Sequence, residues 1–152
     1  MKKPDYSTLH IHIDGAARGN PGPAGIGVVI TDTNSLVVKN VKKFIGHATN
    51  NVAEYTALIT GMEEARSLGA KELIINTDSE LVAKQLGGEY KVKNAVLKDL
   101  YAKVKTILSD FEQVEVNNIP REDNGSADKL ANKAIDGAGR KKIGKSFILK
   151  SR

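Results

Sequence analysis

The spacing of apolar residues along the chain predicts nine secondary-structure elements in the order β-β-β-α-β-α-α-β-α. Apolar and polar residues alternate from Leu9 to Asp14, which is the period of a β-strand, and further strand-like runs span Gly25 to Ile30 and Leu36 to Ile45. Glycine and proline dominate residues 15–23, so the first two strands should form a hairpin with a firm tip. We expect an antiparallel meander, with Asp14 at the end of its first strand.

The middle of the chain combines a helix with a buried strand. Residues 47–69 have helical spacing, with Thr49 or Asn50 as the N-cap and Gly69 at the end. The continuous apolar run Leu73–Ile75 is typical of a strand that is buried on both faces, as in a parallel sheet. This change of pattern indicates an α/β protein.

The rest of the chain begins with a short helix and a loop at residues 87–93. A helix over residues 95–108 is expected to turn Val96 inward, and a strand follows over 114–119. Residues 120–125 (PREDNG) form a polar loop that is expected not to pack. A final helix then begins at Asn124 or Ser126.

The composition limits the class of protein, the chemistry that is available to it and its expected compartment. The chain has 152 residues, of which 40% are hydrophobic, and this is enough to close a single core. It contains no cysteine, which excludes disulfides, a thiolate zinc site and a cysteine nucleophile. No apolar run approaches the ~20 residues of a membrane span, and the first ten residues lack the hydrophobic segment of a secretory signal. We therefore expect a cytoplasmic protein.

The net charge of +5 is concentrated at the C-terminal end. Residues 140–152 carry six basic side chains and no acidic one. Without those six, 17 basic residues face 18 acidic ones, so the body has a net charge of −1. The tail is either a solvated segment that aids solubility or a contact for a polyanion such as nucleic acid.

Four acidic residues occupy positions from which their carboxylates can meet. Asp14 ends the first strand, Glu54 lies on the inward face of the first helix, Asp78 follows the buried strand, and Asp128 opens the last helix. Simpler interpretations remain open for each. Asp14 can start a turn, Glu54 and Asp128 can complement helix dipoles, and Asp78 or Ser79 can cap the next helix.

Asp14 and Asp78 lie side by side if the first and fourth strands are adjacent and parallel, through the usual right-handed crossover. Clustered carboxylates raise one another's pKa unless cations neutralise them, and oxygen ligands suit Mg²⁺, with Mn²⁺ as a substitute. Two such ions can activate a water and stabilise the leaving oxygen in a phosphoryl displacement. His10 and His12 share a strand face with Asp14 and offer an alternative triad. Because Mg²⁺ prefers oxygen, we expect these histidines to be packed instead.

Four segments, in this order, resemble the motifs of a type 1 ribonuclease H: IDGAARGNPGPAGIG, ATNNVAEYTALI, INTDSELV and REDNGSADKLANKA. The resemblance covers nearly the whole chain. It implies a ribonuclease H-like α/β fold, in which a mixed five-stranded sheet of three antiparallel and then two parallel strands is flanked by helices. It further implies an endonuclease that hydrolyses the RNA strand of RNA–DNA hybrids and leaves 5′-phosphate and 3′-hydroxyl ends. Its metal ligands would be Asp14, Glu54, Asp78 and Asp128.

The same resemblance implies a set of substrate contacts. Backbone around Gly15 and Ala16 would lie near RNA 2′-hydroxyls, which distinguish RNA from DNA. The other members of the predicted substrate-binding set are Asn20, Asn50 and Asn51 at the minor groove, Thr49 at a DNA phosphate, and Ser79 beside Asp78.

This chain departs from the family pattern in two places. Many members carry a histidine in the loop before the last acidic residue, whereas PREDNG has none, and Arg121 is the expected catalytic stand-in. An arginine cannot shuttle protons at neutral pH, but it can hold a phosphate. Many members also insert a basic handle rich in tryptophan between Gln85 and Ala95, where only Lys91 and Lys93 remain here. The basic tail, with Phe147, Ile148 and Leu149, is a candidate replacement as an extra strand or a clamp.

Two other functions remain as alternatives. An exonuclease or another polynucleotidyl transferase on the same fold is one, but a proofreading exonuclease would show Asp-x-Glu where this chain has Asp14-Gly15-Ala16. A non-catalytic module that binds hybrids is the other, although it would tolerate the loss of a carboxylate and all four are present. We predict a monomer with one catalytic domain at residues 1–139 and a basic tail at 140–152.

Overall fold

The computed structural model describes residues 5–150, and side chains as far as residue 138. Five strands form one sheet: β1 (Thr8–Ala17), β2 (Gly22–Thr31), β3 (Val37–Ala48), β4 (Glu72–Thr77) and β5 (Gln113–Asn118). Their order across the sheet is β3-β2-β1-β4-β5. The pairs β1–β2 and β2–β3 are antiparallel, whereas β4 is parallel to both β1 and β5. The mixed sheet of three antiparallel and two parallel strands is therefore confirmed.

Four α-helices and a short 3-10 helix connect and cover the strands: α1 (Asn50–Ser67), α2 (Glu80–Leu86), α3 (Ala95–Leu108), the 3-10 helix (Arg121–Asn124) and α4 (Gly125–Lys150). Thr49 caps α1, because its Oγ1 accepts a hydrogen bond of 3.2 Å from the amide of Val52. Beyond the end of α1, Gly69 adopts a φ of +98°, which favours glycine. Across residues 5–150, no helix combines the length and the hydropathy that crossing a bilayer requires.

The two long helices lie on opposite faces of the sheet. Ile11 and Ile13 point from β1 toward α1, where Gly61 leaves room for them, and all three are buried. Gly27 of β2 lies on the other face, against the backbone of α4. The core thus forms mainly between α1 and the sheet, and each face brings one helix to the same pair of central strands.

Three predictions about strand length and packing were wrong. β1 continues to Ala17, so Asp14 lies inside the strand and the hairpin tip shrinks to residues 18–21. Val96 is 56% exposed rather than inward, because it lies on the outer face of α3. The PREDNG loop forms the 3-10 helix and does pack, since Asn124 is buried.

The predicted basic tail, as far as Lys150, falls within the end of α4. An extra strand in this segment is therefore wrong. The side chains from residue 139 onward, and with them the proposed clamp of Phe147, Ile148 and Leu149, lie outside the described residues. The segment at 87–94, where the resemblance places a basic handle in many ribonucleases H, is a loop between α2 and α3.

Candidate active site

The register of the two central parallel strands brings Asp14 and Asp78 together. The pairing of β1 with β4 ends at Ile13 and Thr77, and the residue that follows each of them is an aspartate. β1 continues alongside β2 as far as the pair Ala17 and Ala24. Asp14 is thus held by one neighbouring strand at the point where the other ends, and the carboxyl ends of β1 and β4 open a cleft there.

Glu54 reaches this cleft because α1 packs directly on the backbone of β1. A Cβ at position 15 would lie 2.2 Å from the carbonyl carbon of Ala53, so only glycine permits this approach. The amide of Gly15 donates a hydrogen bond of 3.1 Å to Oε1 of Glu54. The strand residue that follows Asp14 therefore positions the second carboxylate.

Asp128 enters from the opposite face, in the first turn of α4. A Cβ at Gly27 would lie 2.1 Å from the carbonyl oxygen of Ala127, so α4 also rests on a glycine of the sheet. Asn124 fixes the segment before the helix, because its Nδ2 donates a 2.8 Å hydrogen bond to the carbonyl oxygen of Ile13. The last carboxylate is therefore anchored to the residue that precedes Asp14.

The four carboxylates line a single cleft of about 460 Å³. Carboxylate oxygens of Asp14, Glu54 and Asp78 lie within 4.8 Å of one another. Asp128 is close enough to Asp14 for a hydrogen bond between the two side chains to raise the pKa of Asp14. Strand ends and both helices thus bring side chains from distant parts of the sequence into contact.

The pKa values of two of these groups reflect the crowding. Burial and the negative charge of Glu54 raise the pKa of Asp14 to about 9, and hydrogen bonds to Asp128 and Glu54 act in the same direction. Burial also raises the pKa of Glu54 to about 7, although the hydrogen bond from the Gly15 amide opposes the rise. Without a cation, this cluster is costly to ionise.

The donor set fits a hard divalent cation. Oε2 of Glu54 is buried and has no hydrogen-bond partner among the described residues, so one lone-pair-bearing oxygen stays available. All the potential ligand atoms are carboxylate oxygens, which commonly coordinate Mg²⁺ and Mn²⁺. Without a cation, these negatively charged groups would repel one another. In contrast, His10 and His12 do not line the cleft. His12 instead lines a smaller pocket near the start of α4.

The hairpin tip and the start of α1 form one rim of the cleft. The Ala17 amide donates a 3.0 Å hydrogen bond to Oδ1 of Asn50, whose own amide donates a 3.1 Å bond to Oδ1 of Asn20. Both side-chain oxygens are therefore engaged, and the Nδ2 groups are the donors that these residues can offer a ligand. Gly15, Ala16 and Asn50 line the cleft directly.

The other predicted substrate-binding residues lie outside the lining of the cleft. Thr49 and Ser79 cap helices, and Oγ of Ser79 accepts a 3.2 Å hydrogen bond from the amide of Val82. Capping and substrate contact are compatible for both. Asn51 is exposed in the first turn of α1. Arg121, the expected stand-in for histidine, is exposed and lines the cleft from the 3-10 helix.

Three residues near the site were not found from the sequence. Asn124 anchors the 3-10 helix to β1, and Arg18 and Asn132 line the cleft beside Asp128. One signal was present, because Asn132 follows Asp128 by four residues and so shares its helix face. Arg18 gave no such signal, since it lies in a segment whose composition indicated only a turn.

Comparison with known proteins places this geometry in a family. The sequence profile described as "Reverse transcriptase-like" matches residues 12–134. Ribonuclease HI of Halobacterium salinarum is 39% identical over 130 residues, which cover 86% of this chain and 65% of that protein. The crystal structure of RNase H1 from this archaeon superposes with a TM-score of 0.84 at 38% identity, covering 86% of this chain and 98% of that one. This chain belongs to the ribonuclease H family.

Two further ribonuclease H relatives are informative. LC11-RNase H1, solved in complex with an RNA/DNA hybrid, is 46% identical with a TM-score of 0.82, and the match covers 86% of this chain and 98% of that one. The bifunctional protein Rv2228c of Mycobacterium tuberculosis is 46% identical over 129 residues, covering 84% of this chain. The match spans only 35% of the mycobacterial protein's length.

Proposed function

We propose that this ribonuclease H-family chain is an endonuclease that hydrolyses the RNA strand of RNA–DNA hybrids and leaves 5′-phosphate and 3′-hydroxyl ends. The observation that carries the proposal is the group of Asp14, Glu54 and Asp78, whose oxygens lie within 4.8 Å of one another at the edge of the sheet. A 46% identical relative solved with an RNA/DNA hybrid supports the choice of substrate.

The four carboxylates are proposed to hold two Mg²⁺ ions, with Mn²⁺ as a substitute. Such ions, when bound, supply the Lewis acidity that activates a water and stabilises the leaving oxygen of the phosphodiester. Asp14 is central in this arrangement, because the other three carboxylates all act on its pKa. Asp78 also lines the cleft and is less buried than Asp14 and Glu54.

The side chains and backbone around the cleft are proposed to select the hybrid. Backbone at Gly15 and Ala16 lies where 2′-hydroxyls of the RNA strand would be read. The Nδ2 groups of Asn20 and Asn50 suit the minor groove, whose base edges present mainly acceptors. Asn51 would extend this contact on the exposed first turn of α1.

Phosphate contacts are proposed at two helix N-termini and at Arg121. Thr49 and Ser79 lie at the N-termini of α1 and α2, where helix dipoles favour anions. Arg121 keeps its positive charge at neutral pH, so it would hold a phosphate and assist departure of the product rather than transfer a proton.

We further propose that the protein acts as a monomer in the cytoplasm. The absence of cysteine from the sequence is compatible with a reducing compartment. Light scattering on the purified chain should give a mass near 16.4 kDa, and a dimer mass would contradict this part of the proposal.

The proposal is tested by incubating the protein with labelled RNA–DNA hybrid, duplex DNA and duplex RNA, with and without Mg²⁺. We expect cleavage of the RNA strand of the hybrid alone, and only with the metal. Asp14→Asn and Asp78→Asn should each abolish cleavage and leave hybrid binding intact, because each removes a ligand charge without changing the shape of the side chain. Full activity in either variant would refute the assignment, and binding without cleavage by the wild type would indicate a non-catalytic module.

A further inference from the structure

A hydrogen-bonded chain runs from the hairpin tip to the last carboxylate of the cleft. Arg18, at the tip, extends its guanidinium to α4, where Nη1 lies 2.6 Å from Oδ1 of Asp136. Its Nη2 donates to both the backbone oxygen and Oδ1 of Asn132, each at 3.4 Å. The guanidinium therefore covers one full turn of the helix that carries Asp128.

Asn132 continues the chain to Asp128. Its Nδ2 donates to the backbone oxygen of Asp128 at 3.0 Å and to Oδ1 of the carboxylate at 3.3 Å. Because a guanidinium has only donors, Arg18 must face the oxygen of the Asn132 amide. This orients the NH₂ group toward Asp128, whereas a flipped amide would oppose two oxygens.

The same tip is tied to the other helix of the cleft. Asn50, at the start of α1, accepts a hydrogen bond from Ala17 and donates one to Asn20. The residues that follow Asp14 are thus attached on one side to the helix of Glu54 and on the other to the helix of Asp128. Arg18 and Asn132 form the link on the α4 side.

From this geometry we propose that Arg18 and Asn132 are positioning residues for Asp128. Asn132 holds Oδ1 of the carboxylate, so that Oδ2 is presented to a divalent cation, and Arg18 keeps the amide of Asn132 in the orientation that allows this. The inference rests on the proposed function of the four carboxylates as metal ligands. Neither residue needs to touch the cation or the substrate.

The expected loss of metal affinity can be judged from other proteins in which a metal ligand is hydrogen bonded in this way. Removing a hydrogen-bond partner of a metal ligand typically weakens metal affinity or activity by about 10- to 100-fold. The ion pair between Arg18 and Asp136 is nearly half exposed on both sides, so it contributes little to stability by itself. Loss of Arg18 should therefore act mainly through Asn132.

The experiment compares Asn132→Ala and Arg18→Ala with the wild type, and Lys133→Ala serves as the control on an exposed neighbouring position of α4. Mn²⁺ affinity is measured by isothermal titration calorimetry in the absence of substrate. Cleavage of hybrid is then measured over a range of metal concentrations, and unfolding is followed by thermal melting. We expect Asn132→Ala to weaken Mn²⁺ binding by about 10-fold, with a smaller effect of Arg18→Ala. The KM for hybrid should be the same in Asn132→Ala and Arg18→Ala as in the wild type. Lys133→Ala should match the wild type in all three measurements.

A double variant tests whether the effect passes through Asp128. In an Asp128→Asn background, Asn132→Ala should cause no further loss of Mn²⁺ affinity, because the carboxylate that it positions is gone. Wild-type Mn²⁺ affinity in both single variants would overturn the inference, and so would a loss that is equal with and without Asp128. A wild type that binds Mn²⁺ but cleaves no hybrid would instead contradict the proposed function, while the calorimetry would still test the positioning.

Discussion

Glu54 carries the clearest sign that the cleft is built for something other than stability. Its side chain is 8% exposed, and one carboxylate oxygen has no partner among the described residues. Buried polar atoms of native proteins are nearly always hydrogen bonded, because an unpaired one costs about 1–3 kcal/mol. A buried acid left this way, beside another acid with a raised pKa, indicates a site that awaits a positive charge.

The raised pKa values predict how the metal-free protein responds to pH. The folded state holds protons on Asp14 up to a pKa of about 9, against an ordinary 3.8, and on Glu54 up to about 7, against 4.5. The associated stability is complete below the ordinary values and is lost as the pH rises through the folded ones. In EDTA, the melting temperature should therefore fall between pH 5 and pH 9.

Two variants and one addition isolate this effect from the rest of the chain. Asp14→Asn should melt at a progressively higher temperature than the wild type as the pH rises, because the amide does not ionise. Asp99→Asn, on the exposed side of α3, should follow the wild type at every pH. Adding Mg²⁺ at pH 8 should raise the melting temperature of the wild type back toward its value at pH 5. A wild-type melting temperature that does not change with pH in EDTA would contradict the prediction.

At the residue scale, the sequence identified the acids but not the amides that hold them. Glu54 was identified because an acidic residue on the apolar, inward face of a helix needs a partner or a metal ion. Asn124 lies in a polar run, where an amide indicates a turn, and Asn132 lies within an amphipathic helix, where an amide indicates a solvated face. The hydrogen bond from Asn124 to Ile13 depends on how the 3-10 helix meets β1, and no local pattern contains that information. The bond from Asn132 to Asp128 is local to α4, and only the four-residue spacing pointed to it.

Glycines inside the strands determine how closely the helices approach the sheet. Gly15 admits the backbone of α1, and Gly27 admits that of α4, with the nearest atoms closer than any Cβ would allow. Element order was predictable from hydrophobic period alone, but the extent of β1 was not. Glycines that read as a turn in the sequence serve as strand residues beneath a helix, so the predicted tip was too long.

The contact at Gly27 gives a prediction about helix packing. Gly27→Ala places a Cβ 2.1 Å from the carbonyl oxygen of Ala127, so α4 must shift, and overpacking of this kind costs about 1–3 kcal/mol. Mg²⁺-dependent cleavage should fall as well, because Asp128 moves with the helix. Both effects are measured by urea denaturation and by the hybrid assay.

Gly137→Ala is the matched control on the same helix. A Cβ there meets nothing within 4 Å, so the substitution should stabilise α4 by up to about 1 kcal/mol through helix propensity. The two glycine-to-alanine changes are thus expected to have opposite signs. Equal effects on the free energy of unfolding would mean that the close approach at Gly27 does not set the position of α4.

Charge is distributed unevenly over the whole molecule. Four carboxylates meet at the end of the sheet where a polyanionic substrate is proposed to bind, and the body carries a net charge of −1. Cations in the cleft can offset the local repulsion, but they do not make the surrounding surface attractive. Five of the six basic residues of the tail follow on α4 itself, and the first lies roughly three turns beyond Asp128.

The tail is therefore predicted to supply long-range attraction for the hybrid. Changing Lys141 and Lys142 to glutamine keeps the chain length and removes two charges. Affinity for hybrid should fall at low salt, and the slope of log affinity against log salt should become shallower by roughly 0.9 for each phosphate that the variant no longer neutralises. The rate at saturating hybrid should not change, because the cleft is untouched.

The control removes the same charge from Arg66 and Lys71, near the opposite end of β4 from Asp78. If both pairs give the same salt dependence as the wild type, the tail is a solvated segment and attraction of the hybrid rests on other residues.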